Sequence, residues 1–373
     1  MTPVWLYLAT LFGAIGFALI LVPAIREYAR SKDIHDLPGG HKSHAKPVPY
    51  LGGVAMVAAF SIAIVVGVFL RISALFEGER VSFSLGPKSP WDDSLLREVL
   101  IVIGLAVCFA IMGLVDDLRG LSPWLRFGIG VALAAGLVWY GVRIETPLPL
   151  GVDWAISIVW VLGITNAFNL LDNIDGLAAG IAAIASTGFF FIAIINDQPY
   201  SALLAIGLAG AMLGFLRSNF HPASIYMGDA GSLFIGFMMA YLGLKMRTTV
   251  TEIPQLFAPV VVLGVAVLDT TMVVVSRVRR GVSPFTGGQD HLSHRLRRLG
   301  LSVRRSVTTL LIAGTALGVL AVGLSEAPAG VGYWFLAAVG VSGVMATVVL
   351  TTKVARVESN STDNITPIRR DAV

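Results

Sequence analysis

The chain has 373 residues, of which 55% are hydrophobic and 13% charged, with a formal charge of +4 and a mean hydropathy of +0.79. Soluble domains carry about 25% charged residues and cannot bury nearly their whole surface, so a soluble fold is excluded. Disorder, which needs low hydrophobicity, is excluded too, as is collagen, because the 40 Gly and 17 Pro follow no triplet period. The remaining class is an all-α polytopic integral membrane protein: lipid admits only helices or closed barrels, and barrel strands alternate where these runs are continuously apolar.

Apolar runs of about 17 to 25 residues match the hydrocarbon thickness. They predict eleven spans, at about 4–25, 50–70, 98–115, 124–141, 154–171, 176–195, 200–216, 230–246, 254–276, 306–325 and 330–350. The first is read as a spanning helix rather than a cleaved signal, because it is long and no basic residue precedes it. The single cysteine, Cys108, lies in an apolar run and is expected to be a buried structural thiol. With eleven helices, most of the 27 Lys and Arg fall on one side. That side holds Arg26, Arg30, Lys32, Lys42, Lys46, Arg119, Arg126, Arg217, eight arginines between 277 and 305, and Lys353, Arg356, Arg369 and Arg370. The positive-inside rule then puts this side in the cytoplasm, with the N-terminus outside and the C-terminus cytoplasmic. The expected organisation is one membrane domain over 1–357, with cytoplasmic loops near 26–49, 116–123, 172–175, 217–229 and 277–305. An external loop at 71–97, an amphipathic helix from His291 to Leu299 and a flexible tail at 358–373 complete it.

The unusual polar residues gather on the cytoplasmic side. Asp116 and Asp117 end span three in GLVDDLRG, and Asn166, Asn169, Asp172, Asn173 and Asp175 follow span five in NAFNLLDNIDG. Asp229 precedes span eight in YMGDAGS, and His291, His294 and Arg295 follow span nine in DHLSHR. Adjacent aspartates repel unless a cation or proton compensates; the alternative is an interfacial pair that ends a helix. Asn169, Asp172 and Asp175 share one face if the helix continues through them, or form a turn. Asp229 can cap its helix. Together, carboxylates from three separated segments can surround a hard divalent ion, and Mg²⁺ takes one or two of them with substrate phosphates and water. His291 and His294 are i,i+3 neighbours with Arg295 beside them, a combination suited to pyrophosphate; the alternative is a basic patch on lipid headgroups. His35, His41, His44, Lys42 and Lys46 lie in the first cytoplasmic loop, either as an ordered connector or as cations for a lipid phosphate. Asp269, inside span nine, is a site candidate by default, unless it makes a structural hydrogen bond.

From about His35 to Arg298 these motifs resemble the polyprenyl-phosphate N-acetylhexosamine-1-phosphate transferases of glycosyltransferase family 4. The first-loop motif is Pro38-Gly39-Gly40 with His44, Pro47 and Pro49 before Leu51-Gly52-Gly53, and Tyr50 stands where the family usually has a basic residue. Asn173 replaces a common glycine, and Ser293 stands where the last-loop motif often has a histidine. The shorter histidine run sets the chain apart from the muramoyl-pentapeptide branch and resembles the undecaprenyl-phosphate GlcNAc-1-phosphate transferase branch.

The resemblance implies a catalytic set of Asp116, Asp117, Asp229 and His291, with Asp229 and Asp117 at a Mg²⁺ ion for which Mn²⁺ substitutes. It implies substrate contacts from Asn169, Asp172, Asp175, His291, His294, Arg295 and His44. The expected partners are a UDP-N-acetylhexosamine, undecaprenyl phosphate and membrane lipids, without nucleic acid and with room for a homodimer. The expected location is the bacterial inner membrane, with the site on its cytoplasmic face. The competing class is a transporter or flippase for an anionic solute, which would spread polar groups toward mid-membrane.

Overall fold

A computed structural model describes residues 4–36, 47–78, 93–246, 252–283 and 288–363. The first-loop residues Lys42, His44 and Lys46 lie outside them. The long apolar runs form helices: α1 Val4–Ser31, α2 Gly52–Gly78, α3 Asp93–Arg119, α4 Pro123–Tyr140, α5 Leu150–Leu171, α6 Leu177–Ile195, α7 Pro199–Asn219 and α8 Gly228–Lys245. After a 3-10 turn at Ile253–Phe257 come α9 Ala258–Val262, α10 Gly264–Arg279, α11 Leu292–Arg298, α12 Val303–Ser325 and α13 Ala329–Asp363. Among the described residues, β structure is limited to a two-residue antiparallel ribbon, β1 His35–Asp36 with β2 Val48–Pro49.

Nine of the described helices are long and apolar enough to cross a membrane, and the count rises to ten if the bent α9–α10 pair is one span. Helix α8 is not among them: it carries Asp229 near one end and Lys245 at the other, and two charges in 18 residues dilute its hydropathy. It is nevertheless the most enclosed element, buried at every position from Ala230 to Leu244, and it packs against α2, α3 and α5. Small residues permit that approach. A side chain at Gly113 of α3 would collide with the backbone of Asp229, and one at Gly53 of α2 with the backbone of Gly231.

Span nine departs from the expected single helix. It breaks at Leu263, and its two limbs meet at 78°. The break falls beside Gly264, whose missing side chain leaves room for Leu317 of α12, and glycines are common sites of sharp helix bends. Asp269 therefore sits on the second limb, α10. At the other end of the chain, α13 runs on to Asp363 through part of the stretch expected to be a flexible tail; Lys353 to Glu358 holds no Gly or Pro to stop it. Cys108 also differs from expectation, being exposed: α3 buries Val99, Val102, Ala106 and Phe109 along one face, and Cys108 lies off that stripe.

The C-terminal ends of α3 and α5, the N-terminal end of α8 and the short α11 meet at one end of the bundle. The chain before α2 joins them there, because Tyr226 N–H donates to Pro49 O at 2.8 Å and Gly53 N–H donates to Met227 O at 2.9 Å. At the opposite end of α8, Glu98 of α3 accepts hydrogen bonds from Tyr241 at 2.8 Å and Lys245 at 2.7 Å, clamping α3 to α8.

Candidate active site

The adjacent aspartates at the end of α3 have separate partners. Asp116 accepts from Leu121 N–H at 2.7 Å and from Arg126 Nη1 at 2.7 Å. Asp117 accepts from Asp229 N–H at 3.0 Å and Ala230 N–H at 3.2 Å. It thus satisfies two of the orphan donors at the start of α8, where a negative charge is also favoured by the helix dipole. Gly228 makes the approach feasible: its φ is +67°, and a Cβ there would lie 2.5 Å from Asp117 Oδ2.

Asp229 itself projects from the first turn of α8. Its Oδ1 accepts from Asn169 Nδ2 at 2.8 Å and its Oδ2 from Arg126 Nη1 at 2.9 Å. One arginine nitrogen therefore joins Asp116 to Asp229. The Asn169 amide also donates to Ser232 Oγ at 2.9 Å. Helix α5 ends at Leu171, so Asp172 and Asp175 lie in the following turn and the shared helical face stops at Asn169. Asp172 accepts no hydrogen bond among the described residues; burial, with Asp229, Asp117 and Asp175 nearby, pushes it up to about 8. Asp175 turns away, pairing with His221 Nδ1 at 2.7 Å and accepting from Ala223 N–H at 3.1 Å. Asn219 completes that corner by accepting from Gly176 N–H at 3.1 Å.

The histidine segment is fastened to α10. Asp269 pairs with His291 Nδ1 at 2.7 Å and accepts from Leu292 N–H at 2.6 Å, with Asp269 1% and His291 4% exposed. His291, expected as an open ligand, is thus a buried ring whose Nδ1 is already engaged; the intramembrane carboxylate of the sequence is its partner. Asp290 is held by Arg277 at 3.3 Å and Arg280 at 2.8 Å, which keep its carboxyl below the usual carboxylate range despite burial. Arg295 donates to Asp290 O at 3.0 Å and to Thr351 Oγ1 of α13 at 3.2 Å. His294 lies 6.0 Å from His291 between ring centroids. Burial first, then His291, Arg297 and Arg298, push it down to about 4, so it is a neutral ring near pH 7. Ser293 Oγ donates to Asn173 Oδ1 in the turn after α5.

The structure thus brings Asp116, Asp117, Asn169, Asp172 and Asp229 into one cluster, while His291, His294 and Arg295 form a second, joined to the first through Ser293 and Asn173. Asp175 supports the neighbouring loop. Two contributors escaped the sequence reading: Arg126 counted only toward topology, and His221 stood in no pattern; Ser232 stands within the YMGDAGS motif but was given no role of its own. Arg126 was open to notice as a cation shortly after the paired aspartates, at the same end of the bundle.

No three His, Cys, Asp or Glu side chains are arranged to hold a metal ion among the described residues. The donor chemistry nevertheless fits Mg²⁺. Asp116 and Asp229 pair with Arg126, while Asp117 and Asp172 lie close to Asp229; carboxylates offer hard oxygens, and Mg²⁺ needs only one or two of them when phosphates and water supply the rest.

Residues 99–247, from within α3 to just beyond α8 and so including the acidic cluster, match the model of glycosyl transferase family 4. The chain is 30% identical to the probable undecaprenyl-phosphate N-acetylglucosaminyl 1-phosphate transferase of Bacillus subtilis, over 83% of this chain and 82% of that protein. It is 31% identical to the decaprenyl-phosphate N-acetylglucosaminephosphotransferase of Mycobacterium leprae, over 92% and 87%. It is 29% identical to the phospho-N-acetylmuramoyl-pentapeptide-transferase of Halalkalibacterium halodurans, over 81% and 91%. The chain belongs to the polyprenyl-phosphate N-acetylhexosamine-1-phosphate transferase branch of glycosyltransferase family 4.

Proposed function

We propose that the protein transfers N-acetylglucosamine 1-phosphate from UDP-N-acetylglucosamine to undecaprenyl phosphate, releasing UMP and forming the first lipid-linked intermediate of a cell-envelope polysaccharide. The observation that carries this reading is the surplus of carboxylates around Asp229, facing a histidine segment at one end of the bundle. The lysine and arginine distribution supports placing that end at the cytoplasmic face of the inner membrane, with the N-terminus outside and eleven spans when α8 is counted.

The lipid phosphate oxygen attacks the phosphorus that carries the sugar. The bond between that phosphorus and the bridging oxygen of the diphosphate breaks, UMP leaves, and the anomeric C–O bond is retained. Both substrates are anionic, so the demand is charge neutralisation and in-line placement. Mg²⁺, held by Asp229 with Asn169 and Asp172 beside it, would neutralise the diphosphate. Asp117 anchors the first turn of α8 and so aims Asp229. Arg126 supplies a guanidinium between Asp116 and Asp229, close enough to meet an incoming phosphate. Asp269 accepts a hydrogen bond from Nδ1–H of His291 and leaves Nε2 for the substrate, while His294 offers a neutral ring nitrogen. A phosphate monoester is largely ionised near pH 7, so the acceptor needs orientation more than a base.

The test is purified protein with Mg²⁺, undecaprenyl phosphate and a panel of UDP-sugars, scored for UMP and lipid-linked product. Turnover with UDP-N-acetylglucosamine is expected. No UMP with any UDP-sugar would remove the transferase reading, and a preference for another sugar would correct the donor.

A further inference from the structure

Two side chains outside the assigned set connect the two halves of the site. Ser293, in the first turn of α11, has no exposed surface, and its Oγ donates to Asn173 Oδ1 across 120 residues of chain. Asn173 directly follows Asp172, and its Nδ2 donates to Leu170 O at 2.8 Å in the last turn of α5. The amide is therefore used in both directions: one end closes α5 and the other receives the serine hydroxyl.

The neighbouring anchors of this segment run elsewhere. Asp290 is held by Arg277 and Arg280, and both His291 Nδ1 and Leu292 N–H meet Asp269. All of these partners belong to α10 or the residue directly after it. They fix the histidines to α10, which packs against α5, and leave the direct contact with the turn that carries Asp172 to another bond. The Ser293–Asn173 hydrogen bond supplies it, with Asp172 adjacent on one side and His294 on the other.

We propose that Asn173 and Ser293 are a positioning pair that sets the separation between the carboxylate cluster and the histidine segment, and with it the in-line geometry of phosphoryl transfer. This rests on the transferase reading above. Phosphoryl transfer gives the protein little covalent chemistry to perform, so alignment dominates. The pair acts through Asp172 and through His291 and His294. Serine suits the place, because a fully buried position between two packed turns takes a small directional donor and no larger ring. Asn173 is partly exposed, so water can satisfy its oxygen when the hydroxyl is lost. The bond then matters more for alignment than for folding.

The experiment measures kcat, KM for the nucleotide sugar and thermal midpoint for Ser293→Ala, Asn173→Ala and the double variant, beside wild type. Either single change is expected to lower kcat by about tenfold to a hundredfold, the scale of an ångström-sized misalignment, with KM changed less than about twofold. The double variant is expected to fall no further than the worse single, because both remove one coupled contact. Asn173→Ala probes the bond from its partly exposed side should Ser293→Ala fold poorly. Multiplying losses, a raised KM at unchanged kcat, or near-normal turnover in both singles would overturn the positioning role alone. An inactive wild type would overturn the transferase reading, and this inference with it.

Discussion

The carboxylate cluster and the histidine segment solve opposite electrostatic problems. In the cluster, Asp116, Asp117, Asp172 and Asp229 come from three helix ends, and Arg126 is the cation that pairs with two of them. In the histidine segment each acid is matched, Asp269 by His291 and Asp290 by Arg277 and Arg280. The first has more carboxylates than cations, the arrangement that the proposed binding of a cation together with phosphate would use. In the second, both acids are engaged by direct contacts with the surrounding residues, which suits a surface that must hold its shape while ligands pass. The Asn173–Ser293 bond lets one define the position of the other.

That contrast predicts graded effects. Asp229→Asn removes the central anionic ligand while keeping its size, and UMP release should fall on the order of a thousandfold, the scale of losing a key electrostatic contact; near-normal turnover would dissolve the distinction between the two regions. Asp269→Asn keeps the shape but cannot accept both the His291 and Leu292 donors as a carboxylate does. A loss of about a hundredfold in kcat is expected, together with destabilisation of about 1–3 kcal/mol from the unsatisfied buried group, read by kinetics and thermal melting. Arg126→Gln should act on the cluster in two directions, lowering turnover about tenfold through the lost guanidinium while reducing the Mg²⁺ concentration needed for half-maximal thermal stabilisation. An increased Mg²⁺ requirement would show that Arg126 supports the ion rather than sharing its carboxylates.

The smallest effect concerns His294 and pH. Its folded value near 4 lies below the ordinary 6.5, so the unfolded chain takes up the proton first as pH falls. Its contribution to stability is complete above about 6.5 and is lost on acidification toward 4. Wild-type protein should therefore lose more thermal stability than His294→Gln between pH 6.5 and pH 4.5; parallel curves would mean that His294 is more open to water than its surroundings indicate.

Part of this site was legible without coordinates, because unusual polar residues between apolar spans are expensive and conspicuous. Asp116, Asp117, Asn169, Asp172, Asp229 and His291 all stood out for that reason. Which of them would pair with which did not. Nothing in GLVDDLRG distinguishes Asp116, which meets Arg126, from Asp117, which caps α8; that depends on where the first turn of α8 arrives, 112 residues later. Arg126 resembled any cytoplasmic-side arginine, and Asp175 resembled Asp172 until α5 ended before both.

The hydropathy of the chain by itself determined that this is a multi-helix membrane protein, and it located α6 and α12 closely: 176–195 and 306–325 were expected, Leu177–Ile195 and Val303–Ser325 observed. Lipid leaves each spanning segment no alternative to satisfying its own backbone as a helix, so local composition suffices. Tertiary structure alone decided the 78° break beside Gly264, the burial of a weakly apolar α8, the Asp269–His291 pair and the Asn173–Ser293 link. Those features arise from close packing and from hydrogen bonds between distant segments, and their energies depend on which surfaces meet rather than on any one stretch of sequence.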